Sequence, residues 1–430
     1  MNSDWSLRQV RTLLDSGLLL VEDGNHGEYR PLATEFTMAG TPFIRPDDLK
    51  YGRVDFSNCD YINDQAVKRV RKGHGRPFDV LLTHRATVGR LAFVRHSDPI
   101  FVANPGVTIW RSLDPKNLDP AFLYYRLHAK DFTDQLWAVA GSTDTFPYAS
   151  LTEQRKLWLT LPSHITQVAI AATLSALDEK IDLNRRMNET LEAMSRAILK
   201  DWFVDFGPTR AKIEGRSPYL SAELWSLFPD QIDKSGLPTG WRMDRLGAHI
   251  VNYDAQRVPV SGAERSKRQG PYPYYGAAAL MDHIDGYLFD GTYVLVGEDG
   301  SVMAPDEKAI TQYVWGKFWV NNHAHVLRGR DPVSTEHILM YFGQESVAPY
   351  ITGAVQMKLS QGRMNSMPFL YAGSEACRAF DSLTAPLFAM MRKNADEISS
   401  LAAMRDLLLP KLMSGELRVR DAERVVEGVI

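Results

Sequence analysis

Apolar residues along this chain follow two regimes, and each regime occurs twice. Runs such as FDVLLTHRATVGRLAFV at Phe78–Val94 and IFVANPGVTIWRSLDP at Ile100–Pro115 are β-branched and aromatic, broken by Gly, Pro and Asn, and predict short strands. From Ser163, a suitable N-cap after Pro162, the pattern changes and runs without Pro or Gly to Phe206, stopping at Gly207-Pro208. That predicts one helix of roughly 60 Å at about 1.5 Å per residue. Leu174, Leu177, Ile181, Asn184, Asn188, Leu191, Ser195, Ile198 and Trp202 recur at alternating spacings of three and four, a heptad seam interrupted by polar residues. A second seam holds Leu387, Met391, Asn394, Ile398, Leu401, Arg405, Leu408 and Leu412, with Asn394 lying 210 residues after Asn184. Asn in an a/d seam fixes register at some cost in stability, so these residues predict that the two helices pack on each other. Pro410 is expected to kink or end the second helix.

Sliding the second half beneath the first aligns four blocks in one order. GTYVLVGEDGSVMAP from Gly291 lies under the Phe78 run, and KFWVNNHAHVLRGRDP from Lys317 lies under the Ile100 run. Gly141 then meets Gly353 at a shift of 212, and Leu191 meets Leu401 at a shift of 210. The chain therefore reads as two tandem copies of an α/β (α+β) globule, each followed by a long helix. The boundaries are a first globule at 1–162, a helix at 163–206, a linker at 207–240, a second globule at 241–377, a helix at 378–416 and a tail at 417–430. The linker is Pro/Gly-rich with scattered aromatics and reads as packed, not disordered. If the helices are antiparallel, the globules are expected at opposite ends.

Several segments now resemble a known family. LSALDEKIDLNRRMNETLEAMSRAILKDWFVDFGPTRAK, LFPDQIDKSGLPTGW, MRDLLLPKLMSGELRV, DGNHGEYRP and GTPFIRPDDL are similar to regions of type I restriction-modification DNA specificity subunits. The resemblance implies two target-recognition domains joined by two antiparallel conserved helices, reading an asymmetric bipartite site in double-stranded DNA. It also implies two methyltransferase (modification) subunits that use S-adenosylmethionine, and two restriction/translocase subunits that use ATP and magnesium. Two globules on a rigid helical spacer fit that role, because half-site spacing follows protein geometry. The implied helix seam consists of Leu177, Ile181, Asn184, Leu191 and Ile198 with Leu387, Met391, Asn394, Leu401 and Leu408.

Candidate DNA contacts follow from residue chemistry. AVKRVRKGHGR concentrates Lys68, Arg69, Arg71, Lys72, His74 and Arg76 without an acid, as a phosphate-binding loop would, with glycines to let the backbone approach. Arg85 and Arg90 in LTHRATVGR could fork onto guanine, although a structural turn explains them equally. The resemblance places Ser142, Thr143 and Thr145, and the aligned Gln356, Lys358, Gln361, Arg363 and Asn365, beside DNA. In AERSKRQGPYPYYGAAA, Arg265, Lys267 and Arg268 interleave with Tyr274 and Tyr275, which as tyrosines are as readily core anchors.

Other chemistries are weakly represented. Asn104-Pro105, Asp114-Pro115 and Asp331-Pro332 lack the second proline of a methyltransferase tetrapeptide, and no GxxxxGK[ST] loop occurs. RPDDLK at Arg45–Lys50 lacks the separate upstream acid of a nuclease core, and His323, His325 and Asp331 form no complete ligand set. The chain is thus expected to be non-catalytic, without a cofactor or metal of its own. Two cysteines fit a reducing, cytoplasmic setting, and no apolar stretch reaches the roughly 20 residues of a membrane span. The formal net charge of −3 requires any DNA contact to come from local patches. Two other readings stay open: a specificity subunit of a related methylase-nuclease system, and a non-catalytic coiled-coil scaffold whose globules bind protein.

Overall fold

The structure, a computed structural model, describes residues 5–141, 146–353 and 356–428. The chain divides into two compact units, residues 1–183 with 397–430, and residues 184–396. Both long helices therefore contribute one part to each unit.

In the first unit, an antiparallel sheet has the order Leu91–Phe93, Val80–Thr83, Val107–Ser112, Leu19–Asp23. Val80–Thr83 is buried on both faces, which explains its unbroken apolar run. Val80, Leu82 and Trp110 face a core shared with the helices Pro120–His128 and Lys130–Ala140. Leu81, Ala92 and Ile109 face the other way, onto Ile44, Phe101 and Ala103 of a second sheet. That sheet has the order Phe36–Thr37, Asp60–Ile62, Thr41–Ile44, Phe101–Ala103, His74–Gly75. Its one parallel pair joins Thr41–Ile44 to Phe101–Ala103. The helix Asp64–Arg69 packs on it through Ala66 and is tied down by Arg69, whose Nη1 donates to Glu35 Oε1 at 2.7 Å.

The second unit repeats the first of these sheets strand for strand, and the second sheet without a counterpart to Phe36–Thr37. One sheet has the order Thr311–Val314, Tyr293–Gly297, Ala324–Gly329, Ile250–Asn252, and the helix Thr335–Phe342 shares its core. The other has the order Leu280–Ile284, Tyr272–Tyr275, Lys317–Val320, Phe289–Asp290, again with one parallel pair, Tyr272–Tyr275 beside Lys317–Val320. Each globule is closed by its ends. Ser6–Gln9 pairs with Trp158–Leu161 in one, and Arg242–Arg245 with Pro368–Tyr371 in the other.

The long helices span His164–Leu199 and Ser374–Ser414. The first ends in a π-helical turn, Lys200–Val204, that buries Trp202 and Phe203, before Phe206 takes a left-handed conformation ahead of Gly207. Residues of the 207–240 segment pack on this end: Ala211 and Phe228 are buried, and Phe228 meets Trp202 edge-on at 4.8 Å. Within the first unit Leu174, Leu177 and Ile181 share a core with Leu401, Leu408 and Leu412. Asp178 pairs with Arg405 at 2.7 Å and Lys180 with Glu397 at 3.5 Å, so the numbering runs in opposite directions and these segments are antiparallel. Within the second unit Asn394 Nδ2 donates to Asn188 Oδ1 at 2.8 Å, and Asn188 Nδ2 donates to Met391 O at 3.1 Å. Asn184 is buried as well.

Three expectations about the helices change. Pro410 does not end the second helix, which also runs through Pro386. The residues whose carbonyls lose a partner, Ser382 and Asp406, are exposed, which lowers the cost of the missing N–H. The helix starts at Ser374, ahead of 378. Leu387 is only half-buried, whereas Phe388 is 1% exposed; here the inward positions Phe380, Thr384 and Phe388 step by four instead of following the heptad.

Two outcomes are expected. Asn394→Ala leaves the Asn188 oxygen unpaired in the seam and should lower unfolding free energy by about 1–3 kcal/mol; the double change to Leu at 188 and 394 should recover most of that loss, as read from urea midpoints. Glu35 is held at a pKa of about 2, against an ordinary 4.5, by the Arg69 guanidinium and the Leu32 N–H. A depressed folded pKa adds stability above the ordinary value that is lost as pH falls through the folded one. The stability advantage of wild type over Glu35→Gln should therefore shrink between pH values of about 4.5 and about 2 in thermal melts.

Candidate nucleic-acid interface

The central strand of each unit ends in a polar turn against which a later loop is fastened by backbone. In the first unit Ala149 N–H donates to His84 O at 2.9 Å and Ala86 N–H donates to Pro147 O at 3.0 Å. This sets exposed Arg85 in a bridge with Tyr148, next to Phe146, which is 66% exposed. In the second unit Leu359 N–H donates to Glu298 O at 2.9 Å. Ala149 and Leu359 are 210 residues apart, so Phe146 and Tyr148 correspond to Gln356 and Lys358. Ser142, Thr143 and Thr145 lie outside the described residues.

The basic segment of the first unit is not one phosphate-binding loop. Arg69 is committed to Glu35, Lys72 to Asp23, and His74 to the carbonyl of Val70 at 3.1 Å. These three are structural. Lys68, Arg71 and Arg76 are exposed, and the Arg71 guanidinium lies 3.7 Å from the centre of the Tyr29 ring. The glycines serve packing, not backbone approach to a phosphate: a Cβ on Gly75 would lie 1.9 Å from the Phe101 ring, and one on Gly73 3.1 Å from Gly24 and from the His26 ring. Arg90 is exposed and reaches Asp47 at 3.2 Å.

In the second unit Arg265 is held by Asp282 at 3.2 Å and by the Val260 carbonyl at 2.7 Å, over the Tyr274 ring. Tyr274 is 1% exposed and its hydroxyl accepts from Val260 N–H, which makes it a core residue and not a base contact. Tyr275 is half-buried against Phe318, and burial raises its pKa. Arg268 pairs with Asp285 at 2.9 Å and Glu264 at 3.6 Å, whereas Lys267 is exposed. Gln356, Lys358, Gln361 and Arg363 are all exposed; the last two lie on a short helix capped by Ser360. Asn365, at the end of that helix, packs on Gly247 with its Oδ1 buried, and is structural.

Sequence reasoning missed a buried polar network beneath this face. His325 is fully buried, with Nδ1 2.6 Å from Asp254 and Nε2 2.8 Å from the Leu359 carbonyl. Burial pushes the Asp254 carboxyl up, but bonds from His325, Val326 N–H and Asn252 outweigh it, and its pKa lies below the ordinary value. Asp254, Glu298 and His325 are close enough to hold a metal ion. The space and the charge are already taken: Arg257 Nη1 lies 2.7 Å and Nη2 3.6 Å from the Glu298 and Asp254 oxygens, and Lys358 lies 3.4 Å from Glu298. The network is ionic, not a metal centre. His323 and Asp331, grouped with His325 in the sequence, pair elsewhere, with Asp299 and Arg378. His323 lies in the turn ahead of the strand and is exposed, so its spacing from His325 carried no signal of the network.

Comparison with known proteins places this architecture. The Type I restriction modification DNA specificity domain matches residues 22–193. The MjaIX specificity subunit of Methanocaldococcus jannaschii is 26% identical over 409 residues, 90% of this chain and 89% of that protein. The HindI specificity subunit of Haemophilus influenzae is 23% identical over 87% of this chain and 94% of its own length. The crystal structure of a type I restriction-modification S subunit from M. genitalium shares the fold, with a TM-score of 0.56 and 17% identity over 96% of each chain. With its twice-repeated globule and paired long helices, this chain is similar over most of its length to type I restriction-modification DNA specificity subunits.

Proposed function

We propose that this chain reads DNA for a type I complex, each unit recognising one half of an asymmetric bipartite target, while other subunits methylate and cleave. One observation carries the reading: the two units share the strand order of the four-stranded sheet that bears these loops but carry different side chains at equivalent loop positions, Phe146 and Tyr148 against Gln356 and Lys358. The same scaffold with different contact chemistry suits two different half-sites. Aromatic residues at the first loop favour apolar contact with bases such as a thymine methyl, whereas Gln and Lys at the second favour adenine edges and phosphates. Lys68, Arg71, Arg76 and Arg85 in the first unit, and Lys267 and Arg363 in the second, supply local positive charge on a chain of net charge −3.

This chain provides no catalytic group in the reading. Two modification subunits bring S-adenosylmethionine and two restriction subunits bring ATP and magnesium, with the exposed faces of the long helices as docking surfaces. The acidic net charge favours one competing reading, a protein-binding scaffold. Salt dependence separates the two: a DNA reader loses affinity with a log–log slope of nearly one unit per phosphate contact.

The test is genome-wide methylation in cells expressing this chain with its modification subunit, compared with that subunit alone. A new bipartite methylated motif is expected; co-purification without a motif, or no association, counts against the reading. Replacing Gln356–Arg363 should alter one half of the motif only, and equal loss of both halves would contradict modular reading.

A further inference from the structure

The Leu359 carbonyl in the second unit and the Ala149 carbonyl in the first occupy equivalent places, and each is approached by a buried histidine ring from a different strand. Register makes this plain. His325 lies opposite Val296, two residues before Glu298, just as Thr108 lies opposite Leu82, two residues before His84. The position of His325 is therefore held by Thr108 in the first unit, and the position of His84 by Glu298 in the second. The acceptor has stayed in place while the donor has changed strands.

The two rings differ in their partners. His84 lies 2.9 Å from the Pro105 carbonyl and 3.1 Å from the Ala149 carbonyl, so its ring is shared between two carbonyls on different segments. Gln154 Nε2 holds Ala149 O independently at 2.8 Å. His325 instead has the Asp254 carboxylate at one nitrogen and Leu359 O at the other, at 2.6 and 2.8 Å, with the ring fully buried. Carboxylate and carbonyl together fix the ring's orientation, as a carboxylate does for a metal-bound or catalytic imidazole. Leu359 directly follows Lys358 and lies one residue before the Ser360 cap of the helix that carries Gln361 and Arg363.

We infer that His325, oriented by Asp254, is a positioning residue for base reading in the second unit: it fixes the segment that presents Gln356, Lys358, Gln361 and Arg363, and so sets the sequence preference of one half-site. The inference rests on the DNA-reading function proposed above. Non-specific affinity comes from phosphates, tolerates small displacements, and is independent of this bond. Base readout requires bidentate geometry and is not.

The experiment uses the full chain with its modification subunit. The wild-type methylated motif is determined first, followed by equilibrium binding to that duplex, to duplexes with either half scrambled, and to a duplex with neither half. His325→Ala should weaken the intact target by about tenfold to a hundredfold, through loss of preference in one half only. Binding to the duplex with neither half, and the salt slope, should be unchanged. His325→Gln, which can still donate to the Leu359 carbonyl, should restore part of the preference, and Asp254→Asn should relax the same half more mildly. His84→Ala should relax the other half less than His325→Ala relaxes its own, because Gln154 remains. Unchanged preference in His325→Ala overturns the inference while leaving the function intact. Equal loss of both halves and of non-specific binding assigns His325 to folding alone and also overturns it. A wild-type complex that methylates no motif removes the functional reading and this inference with it.

Discussion

Each unit is organised around a central strand that is buried throughout, Val80–Thr83 in the first and Tyr293–Gly297 in the second. A strand with no face toward water must pair all its backbone groups and keep its register, because a slip of one residue would exchange two different cores. Val80 and Leu82 belong to the helix-facing core, while Leu81 belongs to the core between the sheets. The polar turn that ends this strand is consequently held in place, and the loop fastened to it through Ala149 or Leu359 inherits that rigidity. A variable surface on a fixed frame lets one fold read different sequences.

Much of the architecture was legible in the sequence because it rests on periodicity. Strand runs, the heptad seam with its Asn residues and the repeat all arise from where apolar residues fall along the chain. What escaped the sequence depends on partners far away in it. Arg69 and Lys72 look like phosphate ligands until Glu35 and Asp23 arrive, 34 and 49 residues earlier. Tyr274 and Arg265 look like a basic-aromatic DNA patch, but Val260 and Asp282 commit them to the interior. Pro410 breaks a local rule that the exposure of Asp406 relaxes. The His325 network was invisible for the same reason: its members, Asp254, Glu298, His325 and Leu359, are spread over more than 100 residues.

Charge is used economically. With 49 basic against 52 acidic residues, many cations are held in ion pairs, and exposed ones such as Arg71, Arg85 and Lys267 lie on loops. Such a distribution keeps non-specific attraction modest while leaving local fields where DNA would be read. For a reader that must ignore a great excess of non-target sequence, weak background binding is an advantage.

The central claim, that two structurally equivalent units each read their own half-site, is tested most directly by a thermodynamic cycle on the DNA. Binding free energies would be measured for the intact target, for each half scrambled, and for both scrambled. Independent units predict that each scramble costs affinity and that the two losses add to within about 0.5 kcal/mol. If scrambling one half costs nothing, or either scramble alone removes all specific binding, the two units are not separate readers.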